Sequence, residues 1–346
     1  MKERDIIIQR LFNQQIAATK FTKPGEMVSY MTAMQSQVWE MAKWAIGLRL
    51  PGCTNDDVEA AFNKGDILRT HLMRPTWHFV TPADIRWLLA LTAPRVNAFN
   101  APYYKKMELD ETVFKKAHKV FVRTLQGEKQ LDRNEIKKEL EKNKIETNDL
   151  RFMLLLMQAE LSGLICSGPR KGKQFTYALL DERAPATKPF SRDEALAELV
   201  KRYFITRGPA TVQDFAWWSG LTIKDAKEGL AANRPLFNFE KLNGTEYIFK
   251  HNLFELKKSH QSTFLLPDYD EYGISYKDRS ILSDPKYKTS DETRSIHVVI
   301  IDGVAGGTWE KDIKSKEVKI HFFTSLNKSK LTAMKKATKN YASFFK

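Results

Sequence analysis

Cysteine is scarce in this chain, and the cysteines that are present do not form a disulfide or metal-binding pattern. There are two of them, Cys53 and Cys166, far apart in the sequence and each among apolar neighbours. A structural zinc site needs about four closely spaced ligands, and disulfide-dependent domains carry several cysteines in a short chain. Two isolated thiols are typical of a protein from a reducing compartment. We therefore expect buried free thiols, no metal and no cofactor.

Long hydrophobic runs are also missing. No apolar run approaches the roughly eighteen residues that a membrane-spanning helix needs, and the first ten residues lack the hydrophobic segment of a signal peptide. Apolar residues make up 42% of the 346 residues, an ordinary share for a water-soluble protein. We expect a cytoplasmic protein without membrane contact. A chain of this length exceeds what one hydrophobic core normally serves, so several domains are expected.

Acidic residues are too few to balance the basic ones. The chain has 56 lysines and arginines against 42 acidic residues, a net charge of +14. Residues 310–346 alone contain ten lysines and three acidic residues, a net charge of +7. A clustered basic surface binds polyanions because it releases their counterions, which favours nucleic acid as a partner. A solvated, lysine-rich tail explains the charge pattern equally well.

The most informative stretch is residues 206–250, which carries two helix-start signals and then a hairpin signal. Thr211 and Thr222 are each followed by an aspartate three residues later, the pattern of a capping box. Gly220 fits the left-handed position after the first of these helices. Asn243-Gly244 lies between two segments of alternating apolar and polar residues, as in a two-residue hairpin turn. The stretch therefore predicts a helix-turn-helix followed by a hairpin, which is a winged helix.

Two earlier segments repeat this order of elements without repeating its residues. Residues 131–180 contain a capping pair, a strongly apolar helix and a hairpin with Arg170, Lys171 and Lys173 at its tip. A basic hairpin tip is well placed to contact phosphates. Residues 54–80 contain a capped helix followed by strand-like segments rich in arginine and histidine.

Changes in composition mark the domain boundaries. Pro185 to Pro189 reads as a linker, and short apolar strands separated by turns follow His260. The sequence therefore predicts an α+β fold of three tandem winged-helix domains with a small C-terminal β-barrel. The predicted winged helices comprise residues 1–102, 103–187 and 188–260, and the predicted barrel and basic tail comprise residues 261–346.

Four segments of the sequence resemble those of one known family. They are Met34-Gln35-Ser36-Gln37, Leu68 to His78, Leu265 to Tyr272 and Val299 to Trp309. Through them the chain resembles, over nearly its whole length, the winged-helix DNA-binding family that contains the AlkZ and YcaQ DNA glycosylases. The resemblance implies three tandem winged helices and a C-terminal β-barrel, the same architecture that capping and turn signals predict.

The resemblance also implies catalytic residues. Glycosylases of this family use a Gln-hydrophobic-Gln or Gln-hydrophobic-Asp motif, so Gln35 and Gln37 inherit the catalytic role, while Ser36 departs from the pattern. Composition alone would make them two amides on a helix surface. A neutral amide is too weak a base to deprotonate water, but it can position a water molecule. The expected substrate is therefore a cationic N3- or N7-alkylated purine in duplex DNA, whose glycosidic bond breaks without acid assistance.

Helical geometry sets a condition on this motif. Residues two positions apart on a straight helix point about 200° apart, so Gln35 and Gln37 would not face one site. We therefore predict a helix boundary near Met34 to Gln37, with a new helix from about Val38 to Leu50.

The strand region of the first predicted domain supplies candidate DNA contacts. Arg69, His71, Arg74 and His78 lie there, and the resemblance implies a histidine at position 78. Each side chain is able to bond a phosphate or a sugar. For the histidines the alternative is a hydrogen bond that fixes the hairpin, and for the arginines it is an ion pair with nearby acidic residues.

Three carboxylates raise the question of a metal or acid-base site. They are Asp268, Asp270 and Glu271, and they lie beside the tyrosines at positions 269, 272 and 276. No glycine-containing loop flanks them, so we expect ion pairs with Arg279 or Lys277 instead.

Three functions stay open from the sequence. The leading interpretation is a monomeric DNA glycosylase acting on alkylated purines in double-stranded DNA, including bulky adducts or cross-links. The alternative is a winged-helix DNA-binding protein without catalysis, such as a transcriptional regulator, because fold does not fix function. A protein-interaction scaffold explains the charge least well. A regulator would normally be a symmetric dimer, whereas a glycosylase would expose Gln35 and Gln37 in a basic channel.

Overall fold

The computed structural model describes residues 2–250, 263–283, 297–311 and 317–346. The chain divides into two compact units. The first unit comprises residues 1–59, 197–218 and 222–346, and the second comprises residues 60–196 and 219–221. The four domains predicted from the sequence are a finer division, and they stay a prediction.

Helices and strands are mixed along the chain, which confirms the α+β class. The helices are α1 (Glu3–Asn13), α2 (Pro24–Met31), α3 (Trp39–Gly47), α4 (Asn55–Lys64), α5 (Ile85–Lys106), α6 (Glu111–Leu125), α7 (Arg133–Lys142), α8 (Asp149–Leu161), α9 (Leu180–Arg183), α10 (Arg192–Arg207), α11 (Val212–Ser219), α12 (Ile223–Ala232), α13 (Glu271–Ile274) and α14 (Lys328–Phe344). The strands are β1 (Met34–Gln35), β2 (Leu68–Leu72), β3 (Thr76–Val80), β4 (Leu131–Asp132), β5 (Ile165–Ser167), β6 (Thr176–Leu179), β7 (Phe237–Leu242), β8 (Thr245–Lys250), β9 (Thr263–Leu265), β10 (Val298–Ile301), β11 (Val304–Lys311) and β12 (Val318–Phe322). Within the described residues, no helix has both the length and the apolar character needed to cross a membrane.

The helix and hairpin signals of residues 206–250 are confirmed. The Thr222 hydroxyl accepts the backbone N–H of Asp225 at 3.0 Å, and the Asp225 carboxylate accepts the backbone N–H of Thr222 at 2.9 Å, which closes the capping box at the start of α12. Thr211 forms the same reciprocal pair at the start of α11. Asn243 and Gly244 have φ of 50° and 79°, the left-handed conformation that a two-residue hairpin turn needs. The two helices and the β7–β8 hairpin therefore follow from local interactions.

The second unit is built around α6, α7 and α8. A cluster of buried apolar side chains fills the space between them, with Phe121, Leu140, Phe152 and Leu155 among its members. A three-stranded sheet of order β4-β6-β5 borders this core, and β2 and β3 form an antiparallel hairpin elsewhere in the unit. The hairpin between β5 and β6 carries the basic tip that the sequence predicts.

The C-terminal part of the first unit contains an antiparallel sheet of order β12-β11-β10-β9. In the described residues this sheet is open, with β9 and β12 at its edges, so the barrel stays a prediction. Helix α14 lies in the predicted basic tail, and it packs against the core of the first unit through aromatic contacts. The ring of Tyr341 lies 5.1 Å from that of Trp44 and 4.8 Å from that of Trp309. Gly47 admits the close approach of Phe344, because a Cβ atom at Gly47 would lie 2.3 Å from that ring.

Both cysteines are free thiols, as expected, although they differ in exposure. Cys166 is buried and Cys53 is half-buried. Burial raises the pKa of Cys53 to about 11 and that of Cys166 to about 12, so both stay protonated near neutral pH. A protonated thiol is a poor nucleophile, which suits a structural role.

We expect the substitution Thr222→Ala to destabilise the first unit by about 1 kcal/mol, because it removes the hydroxyl that accepts a free backbone N–H of α12. For a domain of this size that corresponds to a fall in Tm of about 2–4 °C. Thermal unfolding followed by circular dichroism measures the change. Thr112→Ala is the matched control, because Thr112 is exposed in the first turn of α6 and does not cap it. Equal Tm values for the two variants would contradict the assigned cap.

Candidate active site

The candidate catalytic motif lies in an interruption between two helices. Helix α2 ends at Met31, α3 begins at Trp39, and the short strand β1 lies between them. Thr32 has a φ of 68°, a conformation that an α-helix does not contain. The predicted helix boundary is therefore confirmed, although the new helix starts at Trp39 and ends at Gly47. Neither Gln35 nor Gln37 is helical, so the separation of about 200° that a straight helix imposes does not apply to them.

The residues of the motif differ in exposure. Gln35 is 8% exposed, Ser36 is fully buried and Gln37 is half-buried, while the next residue, Val38, is 41% exposed. The serine thus occupies an interior position, where the family pattern has an apolar residue. Both glutamines keep their places in the motif, and Gln37 has solvent access.

A buried carboxylate fixes the backbone of Gln35. The Gln35 N–H donates to Glu271 Oε1 at 2.9 Å. The second oxygen, Oε2, accepts from Arg207 Nη2 at 2.8 Å, from Trp218 Nε1 at 2.9 Å and from Ser275 Oγ at 2.7 Å. Both oxygens of this carboxylate are therefore occupied.

The partner of that carboxylate fixes the residues just before Gln35. Arg207 donates from Nη1 to the carbonyl of Met31 at 3.0 Å and from Nη2 to the carbonyl of Ala33 at 2.9 Å. Its guanidinium carbon lies 4.3 Å from the centre of the Trp218 ring. The side chains of Arg207 and Glu271 are 0% and 1% exposed. The Met31 carbonyl, at the C-terminal end of α2, thus accepts from a buried cation as well as from the Ala33 N–H.

A second buried ion pair lies beside the first. Arg49 donates to the two oxygens of Asp270 at 2.7 and 2.9 Å, and it also donates to the backbone carbonyls of Gln14 and Ala45. Ion pairing of the Asp270-Glu271 carboxylates is therefore confirmed. The expected partners were wrong, because Arg49 and Arg207 come from distant parts of the sequence.

The third carboxylate of that segment, Asp268, lies 3.3 Å from Nε2 of His297. Among the described residues, no group of three or more histidine, cysteine or acidic side chains is arranged to hold a metal ion.

Burial alone would raise the pKa of Glu271, since it disfavours the charged carboxylate. The Arg207 guanidinium, the hydrogen bonds from Ser275 and Arg207, and the Gln35 N–H together outweigh burial and lower the pKa to about 2. Glu271 is therefore ionised throughout the physiological range.

The predicted DNA contacts near β2 and β3 lie in the second unit, and several of them are buried. Arg69 is 8% exposed, and its guanidinium lies 4.2 Å from the ring centre of Trp77 and 4.7 Å from that of Phe175. Burial lowers the pKa of Arg69 to about 10, which leaves it charged at neutral pH. The guanidinium thus lies close to two half-buried aromatic rings.

The two histidines have partners inside the unit. His71 Nδ1 pairs with the Glu160 carboxylate, and His78, which is fully buried, has Nδ1 at 3.0 Å from the carbonyl oxygen of Thr76. Arg74 lies half-buried at the turn between β2 and β3, with a φ of 55°. These placements favour the structural alternative for Arg69, His71 and His78, and their contact with DNA stays a prediction.

The basic hairpin tip is accessible. Lys171 and Lys173 are exposed, and Lys171 forms an ion pair with Glu135 at 3.2 Å. The Arg170 N–H donates to the side-chain oxygen of Asn63 at 2.8 Å, and Arg170 Nη2 donates to the carbonyl of Lys173 at 2.6 Å. The tip is therefore anchored through Arg170 and presents its two lysines to solvent.

The sequence can also be compared with those of known protein families. The family model described as DNA glycosylase AlkZ-like matches residues 28–344 of this sequence. The chain belongs to the AlkZ-like DNA glycosylase family. It is accordingly a DNA glycosylase, an enzyme of DNA repair.

Relatives of this glycosylase share its length and fold. The interstrand DNA cross-link repair glycosylase of Streptomyces sahachiroi is 22% identical over an alignment of 364 positions. The alignment covers 98% of this chain and 95% of the relative. The solved structure of Streptomyces sahachiroi DNA glycosylase AlkZ superposes with a TM-score of 0.81 at 20% identity, over 99% of this chain and 96% of that one. The structural likeness shows a common fold.

Sequence reasoning missed the residues that hold the motif of this glycosylase. Arg207 and Ser275 were not singled out, because 64 positions separate Arg207 from Glu271 and no local spacing connects them. One local signal exists. Arg207 ends the run Tyr203-Phe204-Ile205-Thr206, whose apolar character indicates a buried cation that needs a partner.

The pKa of Glu271 predicts an acid limit for the stability of this glycosylase. The folded-state pKa is lowered from 4.5 to about 2, so the ion pair stabilises the fold fully above about pH 4.5 and this contribution is lost as the pH falls towards 2. We expect the Tm of the native protein to fall more steeply below pH 4.5 than the Tm of Glu271→Gln, which has no titrating group there. Scanning calorimetry from pH 6 to pH 3 measures both slopes. Parallel slopes would show that this carboxylate does not contribute.

Proposed function

We propose that the protein hydrolyses the N-glycosidic bond of cationic N3- or N7-alkylated purines in duplex DNA, with Gln35 and Gln37 as the catalytic residues. The proposal rests chiefly on the interruption between α2 and α3, where the motif lies in non-helical backbone that a buried ion pair holds. A continuous helix would have separated the two amides. The half-buried position of Gln37 gives a substrate access to the motif.

The chemistry assigned to the two amides is positioning. Their carbonyl oxygens are acceptors, so they orient a water molecule towards C1′ and stabilise the positive charge that develops on the sugar. They do not take up the proton of that water in the rate-limiting step, because a neutral amide has almost no basicity. Cleavage of the N-glycosidic bond therefore has to precede attack by water, or be further advanced than that attack in the transition state.

The substrate supplies what the amides lack. Alkylation at N3 or N7 gives the purine a positive charge, so it leaves as a neutral base and needs no proton from the enzyme. An unmodified purine would leave as an anion unless an acid protonated it, and Gln35 and Gln37 have no acidic proton to give. We therefore expect unmodified bases to be poor substrates.

The proposal extends to bulky adducts and cross-links. The relative from Streptomyces sahachiroi is named for interstrand DNA cross-link repair. A site that acts on the sugar through a positioned water makes few demands on the outer part of the base, which suits lesions of different size.

We propose three winged helices as the DNA-binding framework. The order helix, helix, hairpin occurs three times in the chain, as α3-α4-β2-β3, α7-α8-β5-β6 and α11-α12-β7-β8. These sets fall within residues 1–102, 103–187 and 188–260, and a β-barrel completes the fold within residues 261–346. The protein acts as a monomer on nucleoid DNA, because hydrolysis at one nucleotide requires no second copy.

Removal of the two amides tests the catalytic assignment. We expect the native protein to create abasic sites in duplex DNA that carries N7-methylguanine, and we expect Gln35→Ala/Gln37→Ala to lower the single-turnover rate by about 100-fold or more, since the water is no longer positioned. Alkaline cleavage of labelled DNA followed by electrophoresis measures the abasic sites.

The matched control is Gln126→Ala, which removes an exposed amide in the second unit and should keep the native rate. Activity of the double variant equal to that of the native protein would remove the role of the motif. A native protein that binds the duplex but excises nothing would support the non-catalytic DNA-binding alternative.

The basic hairpin tip should contribute affinity by neutralising phosphates. We expect Lys171→Ala/Lys173→Ala to weaken binding to duplex DNA of any sequence and to reduce the slope of log Kd against log salt concentration by about 0.9 for each phosphate that the tip no longer neutralises. Fluorescence anisotropy at several salt concentrations measures the slope. Lys115→Ala/Lys116→Ala is the control, because it removes the same charge from exposed positions on α6. An unchanged slope for the tip variant would refute phosphate binding there.

A further inference from the structure

We propose that Arg207 and Glu271 are positioning residues for the reaction, acting through the backbone of the segment that carries Gln35 and Gln37. This inference rests on the proposed function, because it assigns their role relative to those two amides. Neither residue belongs to the glutamine motif.

The segment before Gln37 lacks the helical hydrogen bonds of its neighbours. The ion pair bonds instead to three of its backbone groups, the carbonyls of Met31 and Ala33 and the N–H of Gln35. Ala33 and Gln35 are two positions apart, so in extended backbone their polar groups lie along the same edge. The guanidinium and the carboxylate therefore bind that edge much as a neighbouring strand would.

The ion pair is itself held rigidly. Trp218 Nε1 and Ser275 Oγ both donate to Glu271, and Ser275 Oγ also accepts from Arg207 Nε at 3.1 Å. Both charged side chains are almost completely removed from solvent. A displacement of the segment would leave buried donors of Arg207 and an oxygen of Glu271 without their backbone partners, which is unfavourable because water cannot replace those partners there. The backbone of Gln35 is consequently fixed.

The role of Glu271 is indirect. One of its oxygens accepts the Gln35 N–H, the other accepts from three side chains, and the side chain is 1% exposed, so the carboxylate contacts other protein groups rather than solvent. What the pair contributes is the location of Gln35 and, two residues later, of Gln37. An error of about 1 Å in such a location can lower a rate by about 100-fold.

The neighbouring ion pair provides a matched control. Arg49 and Asp270 are equally buried, and Asp270 adjoins Glu271 in the sequence. This pair bonds to Gln14, to Ala45 and, through Asp270 Oδ1, to the N–H of Tyr272 rather than to residues 31–35. An asparagine at position 270 keeps an oxygen that can accept that N–H. Loss of either carboxylate should lower stability, but only the loss of Glu271 should move the motif.

The test compares Glu271→Gln with Asp270→Asn in the full-length protein. In each variant an –NH2 group replaces one acceptor oxygen of the carboxylate. This new donor faces the N–H or O–H groups that donated to the carboxylate. For Glu271→Gln we expect the single-turnover rate on N7-methylguanine DNA to fall about 10- to 100-fold, with the Kd for DNA within about twofold of native. For Asp270→Asn we expect a similar loss of Tm and a rate within about threefold of native. If Glu271 had only a structural role, two variants with a similar loss of Tm would also have similar excision rates.

Hydrogen–deuterium exchange gives a readout that does not depend on activity. In Glu271→Gln the peptide covering residues 31–38 should exchange at least about tenfold faster than in the native protein, because the Gln35 N–H loses its acceptor. In Asp270→Asn this peptide should keep its native protection. The double variant Arg207→Met/Glu271→Leu replaces the pair by apolar side chains, so it should regain Tm relative to Glu271→Gln while its excision rate stays low.

The possible outcomes are distinguishable. If the native protein excises the base and Glu271→Gln or the double variant does so at the rate of Asp270→Asn, the positioning role is wrong and the proposed function stands. If the native protein excises nothing, the proposed function fails, and exchange alone decides whether the pair fixes the segment. Native protection of residues 31–38 in Glu271→Gln would overturn the positioning role in either case.

Discussion

The buried ion pair between Arg207 and Glu271 is the interaction on which the candidate active site depends. Transfer of two charges from water to the interior costs several kcal/mol, and their attraction offsets this cost only when further hydrogen bonds complete the network. Here the pair is completed by Trp218, by Ser275 and by the backbone of residues 31–35. Apolar side chains would fill the same space, but they would not bond to the backbone between α2 and α3. The geometry of the motif is thus a consequence of the network.

A site made of two neutral amides suits a substrate that carries its own charge. Glycosidic bond cleavage needs either an acid that protonates the base or a base that is already cationic. Gln35 and Gln37 supply no acid, and Glu271 is ionised and fully bonded. Under the proposed function, selectivity for damage follows from chemistry, because an undamaged purine is a much poorer leaving group. We propose that affinity for DNA comes from other residues, among them the exposed lysines of the β5–β6 tip.

Predictions from the sequence succeeded where the deciding interaction is short in range. The caps at Thr211 and Thr222 and the turn at Asn243-Gly244 are all fixed by residues within a few positions of each other. The prediction of accessible cations on β2 and β3 was less successful. Arg69 lies in a buried strand, and a polar side chain in a strand pattern does not reveal whether both faces of that strand are covered.

The sequence by itself determined the local elements, the excess of basic charge and the pair of glutamines, because capping, turn formation and composition depend on near neighbours or on none. Tertiary structure alone decided which charges are buried and which pair with which. Glu271 accepts from Arg207 and Asp270 from Arg49, across 64 and 221 positions of the chain. Such pairs form only after the backbone has brought distant segments together, and desolvation then makes each charge require its partner.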